Sequence, residues 1–244
     1  MKTSQLAALS AAVIALGTLV PNAAHAQSTS PSIPVGSLSA FPTVVQTGTK
    51  PTLTWSITYP SQVTTVVTVG ANGTITPRRD LYVDLRVLGA QIGDGSNWYM
   101  VEAYHKLEGA SSFTRFFRGK QTNVNPSTVY YTGLVRNARP IDIRGRVASN
   151  SSSTPSSWQA YYSTGTTTQN VRALVNGDTP PSYVPAFSNQ STIKSTLSPY
   201  LDASGKIKIG PLDVIFLFEL WGTATNQSYF DMQDLVVLAT FRIP

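Results

Sequence analysis

The sequence contains no cysteine and only two histidines, His25 and His105. Without cysteine the chain forms no disulfide bond, has no thiol nucleophile and offers no thiolate zinc site. A single histidine beyond residue 26 also excludes a three-histidine metal site. Neither G-x-x-x-x-G-K-S/T nor G-x-G-x-x-G, the glycine motifs that cradle phosphates, occurs. The sequence therefore predicts no catalytic residue, no metal and no cofactor.

Charged residues are scarce, at 12% of the chain, and their balance is basic. There are 18 Lys and Arg against 12 Asp and Glu, a formal net charge of +6. The segment 78–146 holds 11 basic and six acidic residues. A basic surface attracts acidic polymers through its field, whereas the alternative is an ordinary solvated sheet face. We expect a glycan or cell-envelope polymer as partner and no nucleic acid; whether the basic residues gather on one face stays open.

Long apolar runs are missing except near the N-terminus, where Lys2 precedes an apolar run from Leu6 to Val20. Small residues at Ala24 and Ala26 complete the pattern of a secretory signal peptide. The run is shorter than the roughly 20 residues that a membrane-spanning helix needs. We predict cleavage after Ala26, no transmembrane segment in the mature chain, and a secreted protein that is extracellular, on the cell surface or periplasmic. The lack of cysteine favours a bacterial exporter.

The mature chain divides into a short leader and one domain. Residues 27–38 are rich in serine and proline and predict a flexible leader, followed by a single domain over 39–244. Short runs of Val, Thr, Tyr and Ile separated by Gly, Pro, Asn and Ser are typical of an all-β protein. We expect an antiparallel β-sandwich, immunoglobulin-like or jelly-roll-like, with at most one short helix near 190–201, where Pro199 would end the helix early.

Alternation of apolar and polar residues locates the strands. In the segment 81–88 the odd-numbered residues are apolar and predicted to face a core, while Tyr82, Asp84 and Arg86 are predicted to face outward. The segments 98–106 and 113–118 are predicted to follow it in a meander. Further strands are predicted over 129–135, 141–147, 158–162 and 171–175. The segments 213–221 and 235–241 are apolar on both faces and predict paired strands covered on both sides.

One segment carries a family resemblance. The residues Val44–Ser56 (VVQTGTKPTLTWS) and Val67–Ile75 (VTVGANGTI) resemble the opening strands and the glycine-rich hairpin of bacterial immunoglobulin-like domains. The resemblance covers about residues 42–90. It implies a β-sandwich with Trp55 against the core, and it implies no activity, because such modules carry many roles.

The candidate binding residues are aromatic. An exposed ring offers a flat apolar face and a polar edge that suit a sugar ring, although core filling is the competing role for each. The candidates are Trp98, Trp158, Tyr161 and Tyr162, with Tyr82 beside Arg86.

A carbohydrate-active enzyme is the alternative function, and it would need paired carboxylates across a cleft. Glu219 with Asp231, Asp234 or Glu102 could supply them; otherwise Glu219 lies in water at a strand end. His105 is predicted to be a packed or capped sheet residue, since no nucleophile motif accompanies it.

These patterns favour a non-catalytic secreted protein, acting at or outside the cell surface as a binding or structural component. A binding module requires a solvent-facing aromatic row flanked by arginines. A structural subunit requires an unpaired sheet edge, to which the leader of a neighbouring copy could add a strand.

Overall fold

The computed structural model describes residues 35–41, 52–58, 62–93, 97–107, 109–166, 169–181 and 193–244. The predicted signal peptide and most of the predicted leader lie outside these residues. The strands, in chain order, are β1 (Val35–Phe41), β2 (Thr52–Thr58), β3 (Val67–Val69), β4 (Ile75–Pro77), β5 (Leu81–Gly89), β6 (Val101–Leu107), β7 (Thr114–Gly119), β8 (Tyr131–Val135), β9 (Ile141–Val147), β10 (Tyr162–Ser163), β11 (Val171–Leu174), β12 (Asp213–Phe218) and β13 (Leu235–Arg242).

The helices are short. They are α1 (Val63–Val66), α2 (Ile193–Leu197) and 3-10 turns at Gln121–Asn123 and Ser198–Tyr200. The prediction near 190–201 is confirmed, and its α-helical part ends two residues before Pro199. The single turn α1 is additional to the one helix predicted. In the part of the chain that the structure describes, no helix has the length and apolarity needed to cross a membrane.

The strands form two main antiparallel sheets, which confirms the predicted all-β architecture. Sheet I has the order β3-β4-β9-β6-β7, and β10 pairs with β9. Sheet II has the order β11-β12-β13-β5-β8. The predicted pairing of the segments 213–221 and 235–241 is confirmed, because β12 and β13 run side by side in the middle of sheet II.

The main hydrophobic core lies between the two sheets. Sheet I contributes Val101, Ile143 and Val147, and sheet II contributes Leu85 and Phe216 from the opposite side. Along β9 every second residue is buried from Ile141 to Val147, as its alternation predicts. The sheets are therefore held together by apolar side chains rather than by covalent links.

A second apolar layer covers the outer face of sheet II. The helix α2 places Ile193 and Leu197 against this face, where they join a buried cluster with Leu217 and Val236. The central strands of sheet II, β12 and β13, are consequently buried on both sides.

The prediction that Asp84 and Arg86 face outward into solvent is wrong, because each is only 6% exposed. Asp84 is covered by Thr132 of β8 and Arg242 of β13, which both donate hydrogen bonds to it. Tyr82, at the start of the same strand, is exposed as predicted.

The predicted meander of the segments 81–88, 98–106 and 113–118 is wrong in its first pairing and confirmed in its second. The strand β5 pairs with β13 and β8 in sheet II, whereas β6 and β7 pair with each other in sheet I. The chain crosses from one sheet to the other between Ala90 and Met100. Alternation identifies which side of a strand meets the core, but both sheets present such a side, so it does not assign the sheet.

The hairpin β1–β2 forms a separate two-stranded sheet in which Leu38 lies directly opposite Trp55. Both side chains are about two-thirds exposed, at 67% and 69%. The core position that the immunoglobulin-like resemblance implied for Trp55 is therefore wrong, because its hairpin pairs with neither main sheet. The residues Val35–Leu38, assigned to the leader from sequence, lie in β1.

Candidate functional site

The six aromatic and basic residues singled out from the sequence fall in different places. Trp158 and Tyr161 lie beside arginines of sheet I, while Tyr162 packs against the core between the sheets. Trp98 is half-buried and forms an isolated bridge with Gly93. Tyr82 and Arg86 belong to sheet II. The structure therefore brings only Trp158 and Tyr161 together.

Four arginines gather on the outer side of sheet I. Because side chains alternate along a strand, residues opposite one another on neighbouring strands share a face. Glu102 on β6 lies opposite Arg146 on β9 and Arg118 on β7. Tyr104 on β6 lies opposite Arg144 on β9 and Arg115 on β7. We call this surface the arginine face, made of Glu102, Tyr104, Arg115, Arg118, Arg144 and Arg146.

Glu102 is the centre of the arginine face. Its side chain is 1% exposed, and its carboxylate accepts hydrogen bonds from Arg115 at 2.7 Å and from Arg146 Nε at 2.8 Å. The Tyr104 hydroxyl donates to the same carboxylate at 2.5 Å, and Arg118 Nε lies 3.7 Å away. Burial pushes the pKa of Glu102 upward, but the bonds from Tyr104 and Arg146 outweigh it and lower the pKa overall. Glu102 is thus ionised and fixes the arginines around it.

Arg144 is held by aromatic rings instead of by a carboxylate. Its guanidinium carbon lies 3.8 Å from the ring centroid of Tyr161 and 4.0 Å from that of Phe113. Its Nε is buried and has no hydrogen-bond partner among the described residues. Stacking between two rings holds a guanidinium in place while its charge stays uncompensated.

Arg146 and Arg118 extend the stacking to Trp158. The Arg146 guanidinium carbon lies 4.4 Å from the Trp158 ring centroid and 4.7 Å from that of Tyr161. Arg118 lies 5.5 Å from the Trp158 ring. The side chains of Arg115 and Arg118 remain 46% and 39% exposed, so their charges reach solvent. The arrangement places aromatic rings and guanidinium groups side by side on one surface.

The charge of the arginine face is strongly positive, with four arginines against the single carboxylate of Glu102. The row beyond Tyr104 is neutral, since Lys106 lies opposite Asp142. The sequence left open whether the basic residues of 78–146 gather, and these four do. Their signal was the outward alternation of Arg144 and Arg146 along the predicted strand 141–147, which sequence reasoning did not connect with Trp158.

The predicted acidic residues also converge, but in the interior. Carboxylate oxygens of Glu219, Asp231 and Asp234 all lie within 4.8 Å of one another, and all three residues are 0–2% exposed. The alternative that Glu219 lies in water is therefore wrong. Glu102 takes no part, because it belongs to the arginine face. This spacing would also suit a divalent cation, since hard cations take carboxylate oxygens.

Hydrogen bonds account for the buried acidic cluster. Glu219 accepts from the backbone N–H groups of Trp221 and Asp231, and Asp234 accepts from the N–H of Leu220 at 2.6 Å. Burial, reinforced by the charge of Glu219, raises the pKa of Asp234 well above its usual range, so its proton is shared with Glu219. The cluster stabilises the connection between β12 and β13. Its side chains are too deeply buried for a sugar to reach them.

The remaining histidine is a packed core residue, as predicted. His105 is 5% exposed, and its ring centroid lies 3.8 Å from that of Tyr131. Burial lowers its pKa, which keeps the imidazole neutral.

Comparison with protein-family models, with curated proteins and with solved structures gives no match. The chemistry of the arginine face is therefore the basis for a functional assignment.

Proposed function

We propose that this chain is a secreted binding protein that holds an acidic polysaccharide on the arginine face, at or outside the cell surface. The observation that carries the proposal is the stacking of Arg144 and Arg146 on Tyr161 and Trp158, in a surface with four arginines and one carboxylate. Export is part of the proposal and is supported by the signal-peptide pattern of residues 1–26.

The combination of rings and cations favours a charged sugar polymer over a neutral one. Ring faces stack on the apolar faces of pyranose rings, while guanidinium groups pair bidentately with carboxylate or sulfate. The guanidinium groups of Arg118 and Arg146 both lie beside the Glu102 carboxylate and the Trp158 ring. The positive charges are therefore concentrated next to the ring on which a sugar would stack.

The Glu102 carboxylate preorganises the binding surface. By bonding Arg115 and Arg146 it restricts two long side chains before any ligand arrives. Side chains that are already ordered lose less conformational entropy on binding, so affinity per contact rises. The three guanidinium groups around Glu102 still carry a net positive charge.

The test is a calorimetric titration of the mature protein, Gln27–Pro244, with polygalacturonate, and with dextran as the neutral control. Polygalacturonate should bind with an affinity that falls as salt rises, because ion pairs at exposed sites are screened. Arg144→Ala should weaken binding at least about tenfold, by the loss of one charge-assisted contact and its stacking. Arg79→Ala removes an exposed cation outside the arginine face and should leave binding unchanged.

Three results would contradict the proposal: equal affinity for dextran, insensitivity to Arg144→Ala, or tighter binding of duplex DNA than of polygalacturonate. We propose binding without catalysis, because the carboxylates of Glu219, Asp231 and Asp234, which converge, are buried.

A further inference from the structure

A groove opens on one side of the sandwich, between the edge strand β3 of sheet I and the edge strand β11 of sheet II. It has a volume of about 460 Å³. Its lining includes Val67 and Val69 from β3, Ala173 from β11 and Val175 just beyond it. These four residues belong to or pack against the core between the sheets. The groove therefore lies where the apolar core between the sheets meets the protein surface.

Backbone N–H and C=O groups of β3 and β11 that do not bond to a neighbouring strand point into this groove. The N–H of Gly70 donates to the carbonyl of Thr74, and the N–H of Arg78 donates to that of Val66. In an antiparallel pair, residues that bond to the partner strand alternate with residues that do not. Thr68 is therefore the next residue of β3 whose backbone bonds to β4. The N–H and C=O of Val69 point away from β4, toward the groove.

The same reasoning applies to β11. The N–H of Glu219 donates to the carbonyl of Asn170, which makes Arg172 the next residue bonded to β12. Ala173 consequently directs its N–H and C=O toward the groove. Within the described residues no strand pairs with the outer edge of β3 or of β11. Free edges of this kind accept an added strand.

Each rim of the groove carries a guanidinium group. Arg78 lies on the sheet I rim, where its Nε donates to Thr68 Oγ1 at 3.2 Å, and Arg172 lies on the sheet II rim. Arg172 has no ion pair or side-chain hydrogen bond to any residue that the structure describes. The lining contains one carboxylate, Asp178, which accepts the N–H of Val175 at 2.8 Å. The rims therefore favour an acidic occupant.

The groove reaches the turn between β3 and β4, where Gly70 and Ala71 line it. The turn between β3 and β4 packs against the loop before β11, where the N–H of Gly165 donates to the carbonyl of Asn72 at 3.2 Å. β3 has three residues and β11 four. An inserted strand would thus pair over roughly 10–13 Å, at ~3.3 Å per residue.

We propose that the β3–β11 groove binds an extended segment of a partner protein, with apolar side chains alternating with acidic ones. The apolar side chains of this segment pack against the core at the base of the groove, and its acidic side chains pair with Arg78 and Arg172. Its backbone forms hydrogen bonds with the backbone of Val69 and Ala173. The leader of a second copy is a poorer match, because residues 27–38 contain no acidic side chain and include Pro31 and Pro34, which lack an N–H.

The test uses a fluorescent peptide that alternates valine with glutamate, and a matched peptide that alternates valine with lysine. Anisotropy with the mature protein should show binding of the acidic peptide only. Arg78→Glu and Arg172→Glu should each weaken binding at least about tenfold, since a favourable contact becomes repulsive. Arg79→Glu and Lys208→Glu reverse exposed charges outside the groove and should have little effect.

A second probe separates strand addition from simple charge attraction and avoids any change to the protein. N-methylation of alternate peptide residues removes the donors of one peptide edge and should abolish binding if the backbone pairs with Val69 or Ala173. Arg144→Ala should leave peptide binding intact, which keeps this site distinct from the arginine face.

The proposal is overturned if the acidic peptide does not bind, if N-methylation has no effect, or if the lysine peptide binds equally well. It is also overturned if the protein alone forms oligomers that Arg172→Glu dissociates, since a second copy would then occupy the groove.

Discussion

Glu102 and Arg146 face each other across β6 and β9, and Arg146 Nη2 lies 2.7 Å from the Glu102 carboxylate. Arg115 contacts the same carboxylate at the same distance from the other side. One buried acid therefore sets the positions of arginines on two neighbouring strands. This relationship makes the arginine face a rigid part of the sheet instead of a set of independent surface charges.

Replacing that acid should be costly. Glu102→Gln keeps the shape but removes the negative charge, and we expect the free energy of unfolding to fall by about 1–3 kcal/mol at pH 7. The lowered pKa of Glu102 means that its contribution is present above its unfolded pKa and is lost as pH falls through the folded one. Denaturant unfolding at neutral and acidic pH measures both effects.

The matched control is Asp80→Asn, which breaks an ion pair with Arg136 in which both side chains are well exposed. Solvent and salt screen such a pair, so its loss should change stability very little. If Glu102→Gln costs no more than this control, the central role assigned to Glu102 is wrong.

The buried acidic cluster predicts the opposite dependence on pH. Because the pKa of Asp234 is raised in the folded state, its contribution is full below the unfolded pKa and is lost as pH rises through the folded one. Asp234→Asn can still accept from the N–H of Leu220 and donate to Glu219, and it does not ionise. We expect thermal unfolding of this variant to depend less on pH and to occur at a higher temperature at pH 8. Asp234→Leu, which loses both bonds, should be less stable throughout; an Asp234→Asn variant as pH-sensitive as the parent protein would contradict the account.

His105 offers a stabilising substitution. Both imidazole nitrogens are buried without a hydrogen-bond partner among the described residues, and the ring packs against Tyr131. His105→Phe should raise the free energy of unfolding by about 1 kcal/mol, since an unsatisfied polar group is removed. The lowered pKa means that the parent protein loses stability as pH falls below the unfolded pKa of histidine, and the variant should not. Chemical denaturation at pH 5 and pH 8 would show it, and a variant destabilised at both values would refute the prediction.

The exposed hairpin predicts a neutral substitution. Trp55→Ser should change the free energy of unfolding by no more than about 0.5 kcal/mol, because the side chain is 69% exposed. A tryptophan in the core would cost about 3–5 kcal/mol on truncation. Phe216→Ala, in the centre of sheet II, is the positive control. A large loss for Trp55→Ser would restore the core position that the immunoglobulin-like resemblance implied.

The sequence predicted the positions of individual strands better than it predicted which strands pair with one another. The bounds of β9 follow from the strict alternation between Ile141 and Val147, because one face meets the core and the other meets solvent. The same rule failed for Asp84 and Arg86, since polar side chains of the neighbouring strands β8 and β13 form hydrogen bonds with them. Alternation of apolar and polar residues identifies the face of a strand that meets the core. It does not show whether the opposite face is covered as well.

The candidate sites differ in how far sequence could define them. The sequence offered Asp231, Asp234 and Glu102 as alternative partners of Glu219, and the structure brings only the first two to it. Which of them converge, and their burial, depend on how the chain between β12 and β13 folds back. The arginine face required the pairing of β6 with β7 and β9, which are separated in sequence by residues 120–140. Pairing between distant strands is decided by packing of the whole domain, and that information is not local.

The position of β13 constrains how sheet II assembles. β13 follows every other described strand in the chain and yet lies between β12 and β5. Until β13 is in place, sheet II lacks the strand that joins its two halves, and the facing edges of β5 and β12 are unpaired. Formation of sheet II therefore requires pairing between strands that are far apart in sequence, which slows folding.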